Sequence, residues 1–392
     1  MRICFLTRSI PIHTPGGFEK YIFDLAFGLI ARGHEVHIIT KRLPRERVKE
    51  EVPSLRGVQI HYVGPRSPRF WYSFSFFIEM GKKLAQLQNK IPFDIIHSNN
   101  LAAFSLFLVR PTGTWPPLVT TAHGTSISEF FTHPKTIFQK IKRSIRFLPV
   151  ILPEYITFLR SRKIICINKR VQKLVEQMNP KFGKKCTIIN NGVDIDLFHP
   201  IDRNMFLSPP YITILFTGTL SHSKGVFRLY HAFKMLAVKY PHIRLRFVGG
   251  GPLYDHLRAE IQKDHLTDRV MVDGIIPPDK MPEVYRAAQI FVLPTESQEG
   301  QSFSILEALS SGLAVIASEA CHIKHIFDKY GAGLTYKTGD ARMLASLIEK
   351  LLNAPSLIQK LGENGRSLVI NKYQKEKMLL QVEEVYNSLV GI

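Results

Sequence analysis

Ile290-Phe291-Val292-Leu293-Pro294 leads through Thr295-Glu296-Ser297-Gln298 into Glu299-Gly300-Gln301-Ser302-Phe303-Ser304-Ile305-Leu306-Glu307, and on to Ala308-Leu309-Ser310-Ser311-Gly312. The first run is short and apolar and reads as a buried strand. The last carries an apolar helical period behind a mouth of small polar residues. Strand, polar loop and amphipathic helix make the repeating unit of a parallel sheet covered by helices. A helix entered in this way offers unpaired backbone N–H groups and a positive dipole end, which suits a diphosphate. Glu307, inside the helix, is expected to reach hydroxyls flanking the phosphates, such as those of a ribose. Glu299, in the loop, is expected on the other side of the phosphates, where a sugar attached to them would lie.

The rest of the chain repeats the theme. Apolar runs at Ile3–Thr7, Val36–Thr40, Ile95–His97, Leu118–Thr121, Lys163–Ile167 and Thr187–Ile189 alternate with longer amphipathic stretches in the first half. Runs at Ile212–Thr217, Arg244–Val248, Val270–Val272 and Ala314–Ala317 do so in the second. This alternation predicts an α/β fold of two Rossmann-like, doubly wound parallel-sheet domains facing a central cleft, with ligands at the carboxyl ends of the strands. The boundaries expected are 1–198 for an acceptor-binding N-terminal domain and 199–366 for a donor-binding C-terminal domain. Residues 367–392 are expected as a helix packing back on the first domain, within a helical pattern running from about Gln359 to Val390. Asp194–Pro210, with Pro200, Pro209 and Pro210, reads as the linker.

A chain of 392 residues with 45% hydrophobic content can bury such cores, and no run is long enough to span a bilayer as a helix. The apolar part of Met1-Arg2-Ile3-Cys4-Phe5-Leu6 is too short for a signal peptide and reads as a first strand. Cys4, Cys166, Cys186 and Cys321 are scattered without a paired spacing, which fits a reduced, cytoplasmic setting. The net charge is +20, and it is lopsided: residues 1–200 hold 30 basic and 13 acidic side chains, the remainder 22 and 19. The first half is therefore expected to meet an anionic surface. No helix-turn-helix or RNA-binding signature appears, so nucleic acid is not the expected partner.

Six motifs stand in order along the chain. They are Pro15-Gly16-Gly17; Thr121-Ala122-His123-Gly124; Ile189-Asn190-Asn191-Gly192-Val193-Asp194; Gly218 through Lys224-Gly225; Val248-Gly249-Gly250-Gly251-Pro252; and the block from Glu299 to Glu307-Ala308. Taken together they resemble the retaining GT-B glycosyltransferases of family 4, also called group 1. The resemblance runs from the first strand to about Gly333.

That resemblance implies a role for each motif. Gly16 and Gly17 would let the backbone approach the donor phosphates or the acceptor, since glycine has no Cβ to obstruct it. His123 would hydrogen-bond and orient the transferred sugar. Lys224 would stabilise the negative charge that grows on the departing diphosphate. Glu299 would sit against the sugar, Gly300, Gln301, Ser302 and Phe303 would present amides to sugar and diphosphate, and Glu307 would take the ribose. Gly218, Thr219, Gly249 and Gly251 would shape the donor pocket. Two departures stand out. Thr219 replaces an arginine common in the family and so removes a bidentate phosphate donor. Cys321-His322-Ile323-Lys324-His325 replaces a glycine-rich turn, and its spacing matches no standard zinc pattern.

The segment Lys135–Arg170 bears on the acceptor. Ile137, Ile141, Ile145 and Leu148 fall on one helical face, while Lys140, Lys142, Arg143 and Arg146 supply charge elsewhere. Basic amphipathic helices of this kind lie on anionic membranes. An aromatic run, Phe70-Trp71-Tyr72-Ser73-Phe74-Ser75-Phe76-Phe77, lies upstream, flanked by Arg66, Arg69, Lys82 and Lys83. The function expected is retaining, metal-independent transfer of a sugar from a nucleoside-diphosphate sugar to a saccharide or glycolipid acceptor. The diphosphate sugar is a substrate, and no cofactor is expected. Location is expected in the cytoplasm, peripheral on the inner face of the membrane. The rival readings are a nucleotide-sugar epimerase or phosphorylase on the same architecture, and a degenerate sugar-nucleotide-binding module.

Overall fold

A computed structural model describes residues 1–13, 16–65, 72–109, 113–126, 150–200 and 211–391, with Tyr72 and Ser73 described by backbone alone. Pro15, Arg66, Arg69, Phe70, Trp71, the basic residues Lys140, Lys142, Arg143 and Arg146, and the 201–210 part of the expected linker lie outside the described residues. The chain divides into two compact units, Met1–Asn191 with Met378–Ile392, and Gly192–Lys377.

The first unit is built on a sheet of eight strands in the order β3-β4-β2-β1-β5-β6-β7-β8. These are β1 (Arg2–Leu6), β2 (Glu35–Lys41), β3 (Ser54–Leu55), β4 (Val58–Val63), β5 (Ile95–Asn99), β6 (Leu118–Ala122), β7 (Lys163–Cys166) and β8 (Cys186–Ile188). Every pairing is parallel except that of the short edge strand β3 with β4. β5 and β6 are buried at every position, as strands covered on both faces must be. Helix Gly17–Ala31 packs on the C-terminal segment through Gly28, where an added Cβ would stand 2.4 Å from a Leu379 methyl. At the start of β2, Glu383 pairs with Arg32 at 2.5 Å and with His34 at 2.6 Å, which ties the end of the chain to its beginning.

The second unit carries six strands, β9 (Ile212–Thr217), β10 (Ile243–Val248), β11 (Val270–Val272), β12 (Ile290–Leu293), β13 (Ala314–Ser318) and β14 (Leu334–Tyr336). Their order, β11-β10-β9-β12-β13-β14, is all parallel. It reverses direction between β9 and β12, as the first sheet does between β1 and β5. Such reversals leave a crevice outside the carboxyl ends of the strands. One large apolar cluster, from Val193 to Tyr373, fills this unit on both faces of the sheet.

The helical pattern from Gln359 to Val390 is not one helix. It breaks at Tyr373-Gln374 into Pro355–Lys372 and Lys375–Val390. Tyr373 is buried, and its carbonyl accepts the Val193 amide at 2.8 Å while Lys375 N–H donates to Val193 O at 3.0 Å. A Cβ on Gly192 would stand 2.5 Å from the Lys375 Cα, so glycine is required where these two segments pass. Residues up to Lys377 thus stay with the second unit. No helix among the described residues is long and apolar enough to cross a membrane.

Candidate functional site

In the second unit, the loops leaving β9 and β12 meet at the point where strand order reverses. Lys224, in the one-turn helix His222–Lys224, extends to Glu299, and Nζ lies 2.6 Å from Oε1. Their side chains are 29% and 17% exposed, a partly desolvated pair. Fully buried Thr295 places its Oγ1 3.2 Å from the same carboxylate oxygen. The two loops are also sewn together by backbone. Ser223 O accepts the Glu296 amide at 2.8 Å, the Ser297 amide at 3.2 Å and the Thr295 hydroxyl at 3.1 Å. Glu299 N–H donates to Ala320 O at 3.1 Å, joining the loop to the turn after β13.

Glycine makes this approach feasible. Gly225 has φ +68, a left-handed conformation, and a Cβ there would fall 1.9 Å from the Pro294 carbonyl oxygen. Gly249 and Gly251 have φ +142 and +149, and their absent side chains would collide with Gly218 O at 2.0 Å and Leu220 O at 2.5 Å. The ladder between β9 and β10 continues through these loops, with Gly218 N–H on Val248 O at 3.0 Å and Leu220 N–H on Gly250 O at 2.8 Å. Their glycines therefore serve close packing of two loops. Thr219 is exposed on the first of them.

Beyond the β12 loop, helix Phe303–Ser310 begins at Ser302 with no side-chain cap and no acid in its first turn. Backbone N–H groups and a positive dipole end at a helix opening of this kind suit an anion. Ser302 Oγ lies 2.8 Å from Ser304 Oγ. Glu307 sits one turn further on and is 8% exposed. Tyr285 donates its hydroxyl to Glu307 Oε2 at 2.8 Å, and Thr217 lies 2.7 Å from the same phenol. Burial, together with the Glu307 charge, holds the Tyr285 phenol far above its ordinary range, so it is a fixed donor. Nothing in the sequence marks Tyr285: it lies on a short helix before β12, 22 positions from Glu307.

Two neighbouring features sort themselves by contact. Cys321 is buried, and desolvation with the nearby Glu299 charge pushes its thiol up to about 12, so it packs as a small apolar group. His322 takes a left-handed φ of +52 and bonds the Gln298 side chain. Glu296 pairs with Arg228 at 2.8 Å, a cation on the helix that Gly225 opens and one that motif reading passed over. Asp194-Ile195-Asp196 has the spacing of an Asp-x-Asp pair, although the expectation of metal independence took the sequence to hold none. Asp194 Oδ2 is bound by Lys375 Nζ at 2.6 Å, and Oδ1 accepts the Leu197 amide at 3.0 Å. Burial would raise the Asp194 carboxyl, but Lys375 and these amides outweigh it and hold it low. This pair fastens the segment after Gly192 to the last helix.

In the first unit, His123 follows β6 and is partly buried. Its Nε2–H donates to Asn99 Oδ1 at 2.7 Å, and its backbone N–H to Asn100 Oδ1 at 3.1 Å. Phe18 and Tyr21, from helix Gly17–Ala31, flank the ring with centroids at 4.9 and 4.7 Å. Burial lowers the imidazole to about 3, so it is neutral. Beneath it runs a buried polar chain. Tyr21 meets Thr121 at 3.0 Å, Thr121 meets His97 Nε2 at 2.8 Å, and His97 Nδ1 bonds the Tyr386 hydroxyl. Gly16 is extended rather than left-handed and caps the helix beginning at Gly17; a Cβ on it would meet Glu19 Oε2 at 2.5 Å.

Residues 15–197 match the family model described as Glycosyltransferase Family 4, and residues 201–368 match the one described as Glycosyl transferases group 1. A glycosyltransferase of Methanocaldococcus jannaschii is 23% identical, covering 98% of this chain and 98% of its own. A phosphatidyl-myo-inositol mannosyltransferase of Mycolicibacterium smegmatis is 25% identical over 96% of this chain and 91% of its own. Among solved structures, the sucrose-phosphate synthase of Thermosynechococcus elongatus superposes with a TM-score of 0.81 at 20% identity, covering 100% of this chain and 99% of that one.

Proposed function

The chain belongs to the group 1, family 4 glycosyltransferases and has their GT-B fold, and on that premise we propose that it moves a sugar from a nucleoside diphosphate to an acceptor hydroxyl with retention of configuration. The observation that carries this reading is the meeting of Lys224 with Glu299 just ahead of an uncapped helix whose Glu307 is braced by Tyr285. In this reading, diphosphate oxygens displace Glu299 as the partner of Lys224. The ammonium and the opening of helix Phe303–Ser310 then stabilise charge as the bond to the sugar breaks. They supply the positive charge that a divalent ion supplies in other sugar transferases. Glu299, released, accepts hydrogen bonds from the sugar, while Gly300, Gln301, Ser302 and Phe303 line the path of the diphosphate. Glu307 takes the ribose, and Gly218, Thr219, Gly249 and Gly251 shape the floor. His123, with Gly16 and Gly17, serves the sugar and acceptor side. Neutral His123 is suited to orient a hydroxyl. The leaving diphosphate itself takes the acceptor's proton.

The acceptor in this reading is a lipid-linked or membrane-proximal saccharide of glycan or surface-polysaccharide synthesis. Its support is the +17 balance of residues 1–200 and, within them, Leu152 and Leu159, which are 53% and 51% exposed on the helical residues 150–160 beside Arg160 and Arg162. A relative of similar length is named for transfer of mannose to phosphatidyl-myo-inositol. Anionic liposomes should retain the protein in a salt-sensitive way, and equal retention on neutral liposomes would defeat the electrostatic part.

A thermal-shift screen against UDP, GDP, ADP and dTDP and their sugar conjugates tests the donor side, with Glu307→Ala as control. Stabilisation by one nucleotide series, lost in the variant, supports the reading. The anomeric configuration of the transferred sugar, read by NMR, then tests retention. No response to any nucleotide, with no transfer, would overturn it.

A further inference from the structure

We propose that Asn99 is a positioning residue that holds His123 as the tautomer protonated at Nε2, leaving Nδ1 as a lone-pair acceptor for a hydroxyl of the sugar. The ligand in this statement rests on the function proposed above; the hold on the imidazole rests on geometry alone. Asn99 is the last residue of β5 and is 2% exposed, and its Oδ1 lies 2.7 Å from His123 Nε2. The next residue, Asn100, adopts a left-handed φ of +50 and takes the His123 backbone N–H. Consecutive asparagines therefore grip the histidine by its ring and by its main chain.

The amide at Asn99 is kept against its own solvation. Asn99 Nδ2 is buried and has no partner among the described residues. An aliphatic side chain would remove that unmet donor, so packing alone gives no reason for an amide here. What the amide provides is a carbonyl oxygen aimed at one ring nitrogen. A neutral imidazole has one N–H, and an acceptor at Nε2 requires that the proton sit there. Nδ1 then carries a lone pair, and among the described residues no hydrogen bond to it is recorded. Phe18 and Tyr21 pack against the imidazole, one tilted and one edge-on, and crowd any turning of the ring.

The surroundings keep the ring uncharged. Helix Gly17–Ala31 contributes Phe18 and Tyr21, β5 contributes His97 and Asn99, and β6 contributes Thr121. Of these, Tyr21 and His97 titrate. Burial raises the first to about 12, and burial with proximity to His123 lowers the second to about 3. Both are neutral across the physiological range.

The test is nitrogen NMR on the full chain labelled with 15N-histidine, with His123 assigned by comparison with His123→Gln. The expected spectrum has Nε2 protonated and Nδ1 bare from pH 6 to pH 9. Asn99→Asp places a carboxylate on Nε2 and should bring His123 into titration within that range. The kcat/KM of that variant should then fall roughly 100-fold at the acid end and recover as pH rises, against a flat wild-type profile. A wild-type ring protonated at Nδ1 would overturn the proposal, as would an Asn99→Asp ring whose signals do not change. The wild-type spectrum decides the tautomer even where the variant does not fold. Absence of sugar transfer by wild type, with the expected tautomer, would sink the function proposed above and leave the hold of Asn99 on His123 standing.

Discussion

Lys224 and Glu299 lie 75 positions apart in the chain, yet Nζ stands 2.6 Å from Oε1 at the carboxyl ends of β9 and β12. The two strands are neighbours in the sheet, which is why loops so distant in sequence meet. Without ligand, each charge satisfies the other. A bound diphosphate would compete for Lys224 and free Glu299 in the same movement.

Breaking that pair should cost function far more than stability. Lys224→Met is expected to lower kcat by about 100-fold or more, because a cation facing the leaving group is lost. Its unfolding free energy should shift by only about 1 kcal/mol, since both groups keep contact with water. Steady-state kinetics beside urea unfolding separates the two; a large loss of stability with kcat intact would contradict the assignment.

Gly225→Ala should act in the opposite sense. Its φ of +68 and the 1.9 Å approach of a Cβ to Pro294 O leave no room without moving the β12 loop. A loss of about 3–5 kcal/mol is expected. Chemical denaturation measures it, and a shift below about 1 kcal/mol would mean that the two loops are not locked together as described.

Tyr285→Phe removes the hydroxyl that reaches Glu307 at 2.8 Å. The buried carboxylate loses a donor, at a cost of about 1–3 kcal/mol in stability. Nucleotide binding should weaken roughly 10-fold if Glu307 grips the ribose, as calorimetric titration would reveal. Unchanged affinity would detach Glu307 from the nucleotide.

His97 gives the protein a pH dependence. Its folded value, about 3, lies below the unfolded 6.5, so the denatured chain takes up a proton first as pH falls. Stability is therefore full above 6.5 and drains away between 6.5 and about 3. His123, lowered to about 3, and His61, lowered to about 4, both chiefly by burial, act in the same direction. Between pH 7 and pH 5, His97 alone accounts for a loss of about 2 kcal/mol. His97→Gln should flatten the dependence by that amount in urea titrations at the two pH values, whatever its effect at neutral pH. An identical slope would show that His97 is already protonated in the native state.

The amino-acid order by itself determined the local units. Short apolar runs such as Ile290–Leu293, each followed by a small polar loop and a helical period, specify strand, loop and helix without reference to the rest of the chain. Ordered glycines in Gly218–Gly225 and Gly249–Gly251 marked where backbone had to come close. The weakest strands, β4, β3 and β14, escaped, because short or half-exposed segments leave no apolar run to find. So did the break at Tyr373, whose cause is a backbone pairing with Val193 far upstream. Tertiary structure alone decided that Lys224 meets Glu299, that Tyr285 braces Glu307, that Asn99 holds His123, and that Asp194 answers Lys375. Tyr285, Asn99 and Lys375 are unremarkable in their own stretches of sequence, and the motif residues Lys224, Glu299, Glu307 and His123 carry no local sign of which partner each will meet. Lys224 with Glu299 and Asn99 with His123 arise because parallel strands bring their carboxyl ends side by side, and strand order, not local propensity, selects which loops become neighbours.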